Sequence, residues 1–178
     1  MNDQVSGELP VPVSVDEETG VWTVDTFPMI LIPRHYWGSI MEAVEERLGV
    51  EACAEIYFDA TYKSADVWCE QEAITHSLDG VDVLRHYLAR MSARGWGQFS
   101  LDTIDPTSGQ ATISLHHSAI ALHQGHSGRK ECYCFNGAFC GAMNYISRSQ
   151  GNTRTMRSQE AQCLADGADH CRFDLAPA

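Results

Sequence analysis

Apolar positions along this chain change period several times, and each change marks an element. From Pro10 to Asp16 and again from Gly20 to Thr26, the alternation of Val11, Val13 and Val15, then Val21 and Thr23, predicts two short strands, since successive side chains of a strand face opposite ways. A turn over Glu17 to Gly20 would join them as a hairpin, and the polar residues 1–9 ahead of it are expected to fray. The apolar run Met29-Ile30-Leu31-Ile32 closes at Pro33, a residue suited to the first turn of a helix. Between Pro33 and Gly49 the spacing Trp37, Ile40 or Met41, Val44 and Leu48 predicts an amphipathic helix with Glu42, Glu45 and Glu46 outside. Gly49 is placed to end it.

A second helix is expected from about Glu51 into the Trp68 region, with Ile56, Tyr57, Ala60 and Tyr62 among its buried positions. Asp79-Gly80 introduces a third, Val81 to Arg94, carrying Val81, Leu84, Leu88 and Met91 at helical spacing until Gly95-Trp96-Gly97 breaks it. Residues 97–104 and 110–117 alternate on either side of the turn cluster Asp105-Pro106-Thr107-Ser108-Gly109 and predict an antiparallel pair. After a loop rich in glycine and histidine, a fourth helix starts near Glu131 and aligns Phe135, Phe139, Ala142 and Ile146 on one stripe. Gly137 and Gly141 lie on an adjacent face, a spacing open to close approach of another backbone or of a flat ligand, with helix packing the simpler reason. Two terminal strands, about Thr153 to Cys163 and His170 to Leu175, complete an antiparallel sheet. The order of elements predicts an α+β fold with helices packed on one side of that sheet.

Composition narrows the class. A chain of 178 residues with 44% apolar content can bury a sizeable core as one domain. No stretch approaches the roughly 20 apolar residues that span a bilayer. With no apolar signal core at the N-terminus, the seven cysteines read as cytoplasmic thiols or metal ligands rather than disulfides. The formal charge of −12 repels phosphate backbones, so no nucleic-acid partner is expected.

Candidate chemistry gathers near the C-terminus. Glu160 and Cys163 are separated by two residues and Cys163 and Cys171 by seven, with the turn signal Asp166-Gly167 between the thiols. A hairpin there brings both thiols to one end of a two-stranded unit, and Cys132 or Cys134 can supply a further ligand from another element. Cysteine and carboxylate ligands suit zinc, while buried cysteines also serve as small hydrophobes. Spacing alone leaves the two readings even. The eight histidines offer less. His116 and His117 adjoin on a strand and point to opposite faces, His123 and His126 lack a third ligand at an evident spacing, and His170 beside Cys171 points away from that thiol. The chain has no Gly-rich phosphate loop, no GxSxG elbow, no HExxH and no dinucleotide fingerprint.

The run Gly95-Trp96-Gly97-Gln98-Phe99, then Cys132 with Gly137 and Gly141 behind it, then Glu160-x2-Cys163 and Gly167-x3-Cys171, resembles the 4-vinyl-reductase-type domain, the small-molecule-binding module that also forms the sensor part of phenol- and xylene-responsive transcriptional activators. The similarity runs from about Ile30 to Leu175. It implies a fold shared with trafficking-complex subunits, with residues 1–28 as an N-terminal extension and 29–178 as the ligand-binding domain. Carried over position by position, it implies a structural Zn2+ held by Cys132, Glu160, Cys163 and Cys171. Cys134 and Cys140 compete for the first place, and Cys132 is preferred because Gly137 and Gly141 follow it at the family's distances.

A small apolar or aromatic ligand would then sit between helices and sheet, with Trp68, Trp96, Phe99, His116, Phe135, Phe139 and Tyr145 as candidate lining. The resemblance also implies a homodimer. Because the sequence carries no ATPase or DNA-binding segment, any signal is expected to pass to a separate effector protein. Three alternatives stand beside this sensor reading: an enzyme or accessory subunit acting on a vinyl-bearing or tetrapyrrole-like substrate, a thiol redox switch using Cys132 and Cys134, and a purely structural assembly subunit. The first lacks any visible site for a hydride source.

Overall fold

A computed structural model describes residues 10–105 and 107–178, so the expected fraying of residues 1–9 lies outside the described residues. The described residues fall into two compact units, the first ending at Leu31 and the second running Ile32–Ala178.

The first unit is a meander of three strands, β1 (Val13–Val15), β2 (Trp22–Val24) and β3 (Phe27–Met29), in the order β1-β2-β3. The Asp16 carboxylate accepts the N–H groups of Glu18 (2.9 Å) and Thr19 (3.1 Å) and shapes the first turn, with Gly20 at φ +73°. Between β2 and β3 only Asp25 and Thr26 intervene, and Asp25 takes φ +54°, a conformation that Asp tolerates better than most residues. The sequence pattern predicts a two-stranded hairpin and omits β3. Pro28 lies within that strand and is tolerated because β3 is an edge.

In the second unit, α1 (Arg34–Leu48) follows Pro33 and stops at Gly49, whose φ of +85° lets its N–H return to the Glu45 carbonyl at 2.8 Å. Helix α2 (Val50–His76) continues well past Trp68 through Glu70, Gln71, Glu72 and Ala73, all compatible with a helix. It ends where Ser77 turns left-handed. Helix α3 is Gly80–Ala93. Strands β4 (Gln98–Asp105) and β5 (Gln110–His116) then pair antiparallel. The stretch expected as a loop holds a short helix, α4 (Ala119–Gln124), capped by the Ser118 hydroxyl, which accepts the Ala121 N–H at 3.3 Å. Helix α5 (Cys134–Ser149) precedes β6 (Met156–Gln162) and β7 (Cys171–Pro177).

The four strands form one antiparallel sheet in the order β4-β5-β7-β6. Its inner face presents Ile113, Leu115, Phe173 and Leu175, all buried, while Asp102, Arg172 and Asp174 lie on the other. The fold is therefore α+β, with α3 and α5 against the sheet and α2 over α5. Two glycines set that last contact: a Cβ on Gly137 would lie 2.1 Å from the Phe58 carbonyl oxygen and one on Gly141 2.2 Å from that of Tyr62. The Thr61 hydroxyl donates to the Cys134 carbonyl at 2.8 Å across the same seam. Close helix packing is the reason for the Gly137/Gly141 pair. Gly38 does the same between α1 and α4, where the His123 ring occupies the space of its missing Cβ and Nε2 meets Glu42 at 3.2 Å.

Candidate functional site

The β6–β7 connection brings three potential metal donors together. Along β6 the side chains alternate until the register shifts between Glu160 and Gln162. Glu160 faces inward opposite Phe173, in phase with Met156 and Ser158, and the extra residue at Ala161 re-phases the chain so that Gln162 pairs with outward Arg172 and Cys163, the first residue past the strand, turns inward. A single 3₁₀ turn, Leu164–Asp166, and Gly167 at φ +91° carry the chain round to Cys171, which opens β7. The fourth donor comes from elsewhere: Cys132 lies two residues ahead of α5 and its carbonyl accepts the Phe135 N–H at 3.0 Å.

Cys132, Cys163 and Cys171 are fully buried, as is all but a trace of Glu160. One ligand atom from each of the four lies within 4.8 Å of every other. Cys171 Sγ is 3.7 Å from both Cys132 Sγ and Cys163 Sγ. That is far longer than a disulfide and matches the edge of a tetrahedron built with zinc–sulfur bonds, about 3.8 Å. Backbone donors face the sulfurs: Glu131 N–H meets Cys163 Sγ at 3.5 Å and Leu164 N–H meets Cys171 Sγ at 3.3 Å. The Ser118 hydroxyl is 3.0 Å from Cys132 Sγ. The Cys132 N–H donates to Glu160 Oε2 at 2.9 Å, and the second carboxylate oxygen, Oε1, is buried with no hydrogen-bond partner. A buried acceptor left in this state is costly unless something else meets it.

Proton affinities follow from the crowding. Hydrogen bonds from Cys132 and Cys171, with the Glu131 N–H, hold the Cys163 thiol far below its ordinary value. Hydrogen bonding to Cys163 and to Cys171, together with burial, pushes Cys132 well up. Cys171 rises to about 12, because its hydrogen bond to Cys132, which lowers it, is outweighed by Cys163 and by burial. Burial, and then Cys163, lifts the Glu160 carboxyl to about 10. The crowding thus favours protons on Cys132, Cys171 and Glu160 and a thiolate at Cys163, so a divalent ion taking all four donors at neutral pH is expected to displace protons. Calorimetry of zinc uptake in buffers of different ionisation enthalpy should report that release, and uptake without it would show that these donors do not bind as a set.

Around the cluster, Arg129 Nε donates to Glu131 at 2.7 Å while its Nη2 reaches Glu45 on α1. Tyr133 also donates to Glu45, with Cys53 Sγ 3.3 Å away. The segment leading into Cys132 is thus tied to α1. Cys134 and Cys140 are buried on α5, outside the four-donor group.

The candidate lining residues divide. Trp96, Phe99, Phe135 and Phe139 join one edge-to-face cluster: Trp96–Phe135 at 5.9 Å, Phe99–Phe135 at 5.3 Å and Phe99–Phe139 at 6.1 Å. Trp37 extends it on one side, 5.6 Å from Trp96, and Phe173 on the other, 5.0 Å from Phe139. The Trp37 Nε1–H is buried there without a hydrogen-bond partner. Trp68 lies in a separate group, stacked on His86 at 5.6 Å and close to Tyr87. His116 is exposed and stacks on His170 at 4.7 Å, while Tyr145 is half-buried beneath Arg148. An aromatic side chain near a motif does not reveal its direction, which is why the seven separate. Trp37 was legible as a helix-face residue but not as part of this cluster, because its partners are Tyr57 on α2 and Trp96 in the turn between α3 and β4.

The phenol-responsive sensory domain of the transcription activator PoxR, solved with phenol, superposes with a TM-score of 0.79 at 17% identity, covering 93% of this chain and 84% of that one. A vinyl-4-reductase family protein from Methanocaldococcus jannaschii matches with a TM-score of 0.56 at 14% identity over 84% of each chain. Trafficking protein particle complex subunit 3 from Naegleria fowleri, covalently bound to palmitic acid, matches at 0.54 and 10% identity, over 82% of this chain and 92% of that one. At these identities the likeness is one of fold. No curated protein matches the chain in sequence. A family model does, over residues 8–102, more than half of the chain and ending before the four-donor cluster: the chain belongs to the family described as domain of unknown function (DUF5943).

Proposed function

We propose that this domain binds a small, largely apolar or aromatic molecule bearing a hydrogen-bond-accepting oxygen, with a structural zinc ion holding the floor of the site. The observation that carries the reading is the unpartnered Trp37 Nε1–H inside an aromatic cluster, on a fold shared with the phenol-responsive domain of PoxR. Aromatic walls supply affinity by burial, and a lone inward donor selects an oxygen at the ligand's rim. The chemistry of the donor set supports zinc: three thiols and a carboxylate suit that ion, and the Glu160 Oε1 is buried without a hydrogen-bond partner. A closed set of four gives the ion a structural part, tying the β6–β7 hairpin to the start of α5.

The reading extends to a homodimer, a separate effector protein and a cytoplasmic setting. Val15, Val21, Trp22, Ile30 and Leu31 of the first unit are exposed apolar side chains of the kind that a second copy would cover. All seven cysteines are free, as a reducing compartment requires. Among the described residues no helix is long and apolar enough to cross a membrane.

Titration calorimetry with a panel of simple phenols and their oxygen-free counterparts tests the ligand claim, alongside native mass spectrometry for a co-purified mass. Trp37→Phe keeps a ring and removes the donor, and should weaken binding of a phenol about tenfold, the worth of one buried hydrogen bond. It should leave the oxygen-free counterpart nearly unaffected. A panel in which nothing binds, with no co-purified mass, would defeat the proposal.

A further inference from the structure

A second group of metal-type donors lies apart from the thiolate cluster, on the hairpin of α2 and α3. Glu72 and His76 are four residues apart on α2 and so share one face of the helix. His86, on α3, reaches the same carboxylate from across the hairpin. His86 Nε2 is 2.7 Å and His76 Nε2 3.4 Å from Glu72 Oε2, and the two imidazole centroids are 4.8 Å apart. The three ligand atoms lie within 4.8 Å of one another. Trp68 stacks on His86 at an interplanar angle of 17° and fixes its ring.

Two features distinguish this group from an ordinary carboxylate–imidazole pair. Glu72 is completely buried, and its Oε1 has no hydrogen-bond partner, so the carboxylate is desolvated without full compensation. Two imidazole nitrogens converge on one carboxylate oxygen, while the His76 and His86 side chains remain 33% and 19% exposed, which leaves a path for an ion. Two imidazoles and one carboxylate suit a divalent first-row transition cation rather than magnesium or calcium, whose ligands are oxygens.

The geometry points to a second metal site, formed by Glu72, His76 and His86, that takes a divalent transition cation with three protein ligands and leaves a position open to solvent or to an added donor. It is independent of the thiolate site in residues and chemistry.

Cobalt(II) separates the two by colour, because thiolate ligands give intense charge-transfer absorption in the near ultraviolet and nitrogen and oxygen ligands give only weak visible bands. Protein stripped of metal and titrated with cobalt against a weak competing chelator should take up about two equivalents, one of each spectral kind. His86→Ala and His76→Ala should each lose the weak-band equivalent and keep the charge-transfer band, which also reports that the variant is folded. Should His86→Ala lose both, His76→Ala, at the more exposed position, decides. Cys163→Ser should lose the charge-transfer equivalent and keep the other. A wild-type protein showing weak bands alone would retain this site while removing the thiolate one. A single charge-transfer equivalent in the wild type, or a weak-band equivalent that survives His76→Ala, would overturn the inference.

Discussion

Replacing Cys163 by serine is expected to strip the thiolate metal and lower the melting temperature by about 10 °C or more. Cys163 is fully buried, 3.7 Å from Cys171 Sγ, and is the donor that its neighbours hold ionised. A serine hydroxyl is a poor ligand for a thiophilic ion and leaves three donors crowded in a dry site without their cation. Free energy of metal binding is available to the folded state alone, so its loss appears as lost stability of several kcal/mol. In a chain of this size each kcal/mol moves the midpoint by roughly 2–4 °C. Cys134→Ser is the matched control, a buried thiol outside the group that should keep the metal and cost far less. Elemental analysis with thermal denaturation of both variants checks the claim. A wild type purified without chelator that contains no metal, or a Cys163→Ser that retains it, would remove the site.

Gly137→Ala should destabilise the domain by about 3 kcal/mol or more, although alanine is the better helix former by about 1 kcal/mol. The added methyl would sit 2.1 Å from the Phe58 carbonyl oxygen, 2.5 Å from Thr61 Oγ1 and 2.7 Å from Phe58 Cα. Two of these three atoms are backbone, so no side-chain rotation relieves the overlap. Helix α2 would have to withdraw, breaking the hydrogen bond from Thr61 to Cys134 and opening the seam that Gly141 also closes. Urea denaturation measures the change, and a Gly137→Ala variant as stable as the parent would show that the two helices do not meet this closely.

Much of this was readable from periodicity, because long elements repeat their pattern often enough to be unambiguous. The stripe Phe135, Phe139, Ala142, Ile146 marked α5, and the turn cluster at residues 105–109 marked the β4–β5 pair. Short elements escaped for want of repeats. Helix α4 has six residues, and its Ser118 cap was its one local signal. Strand β3 has three residues and contains a proline. The last two turns of α2, residues 69–76, escaped because apolar spacing thins after Trp68, where Glu72 is buried by pairing rather than by hydrophobicity. That truncation hid the Glu72–His76 spacing as well. Within the four-donor cluster, the resemblance singled out Cys132 over its rival Cys134, yet spacing could not show that a register shift at Ala161 turns Cys163 to the same side as Glu160. Directions of isolated aromatics such as His116 and Tyr145 are set by neighbours distant in sequence, and no local pattern encodes them.

Helix α5 is held at three places along its length. Near its start, the Cys132 N–H is fastened to Glu160; at mid-length, Gly137 and Gly141 lie flush against α2; on the opposite face, Phe139 rests on Phe173 of β7. A rod braced in this way has little freedom to bend. Its far end is fastened to the same neighbour, where Arg148 meets Asp66 of α2 at 2.9 Å, so α2 and α5 are expected to move as one body rather than slide past each other.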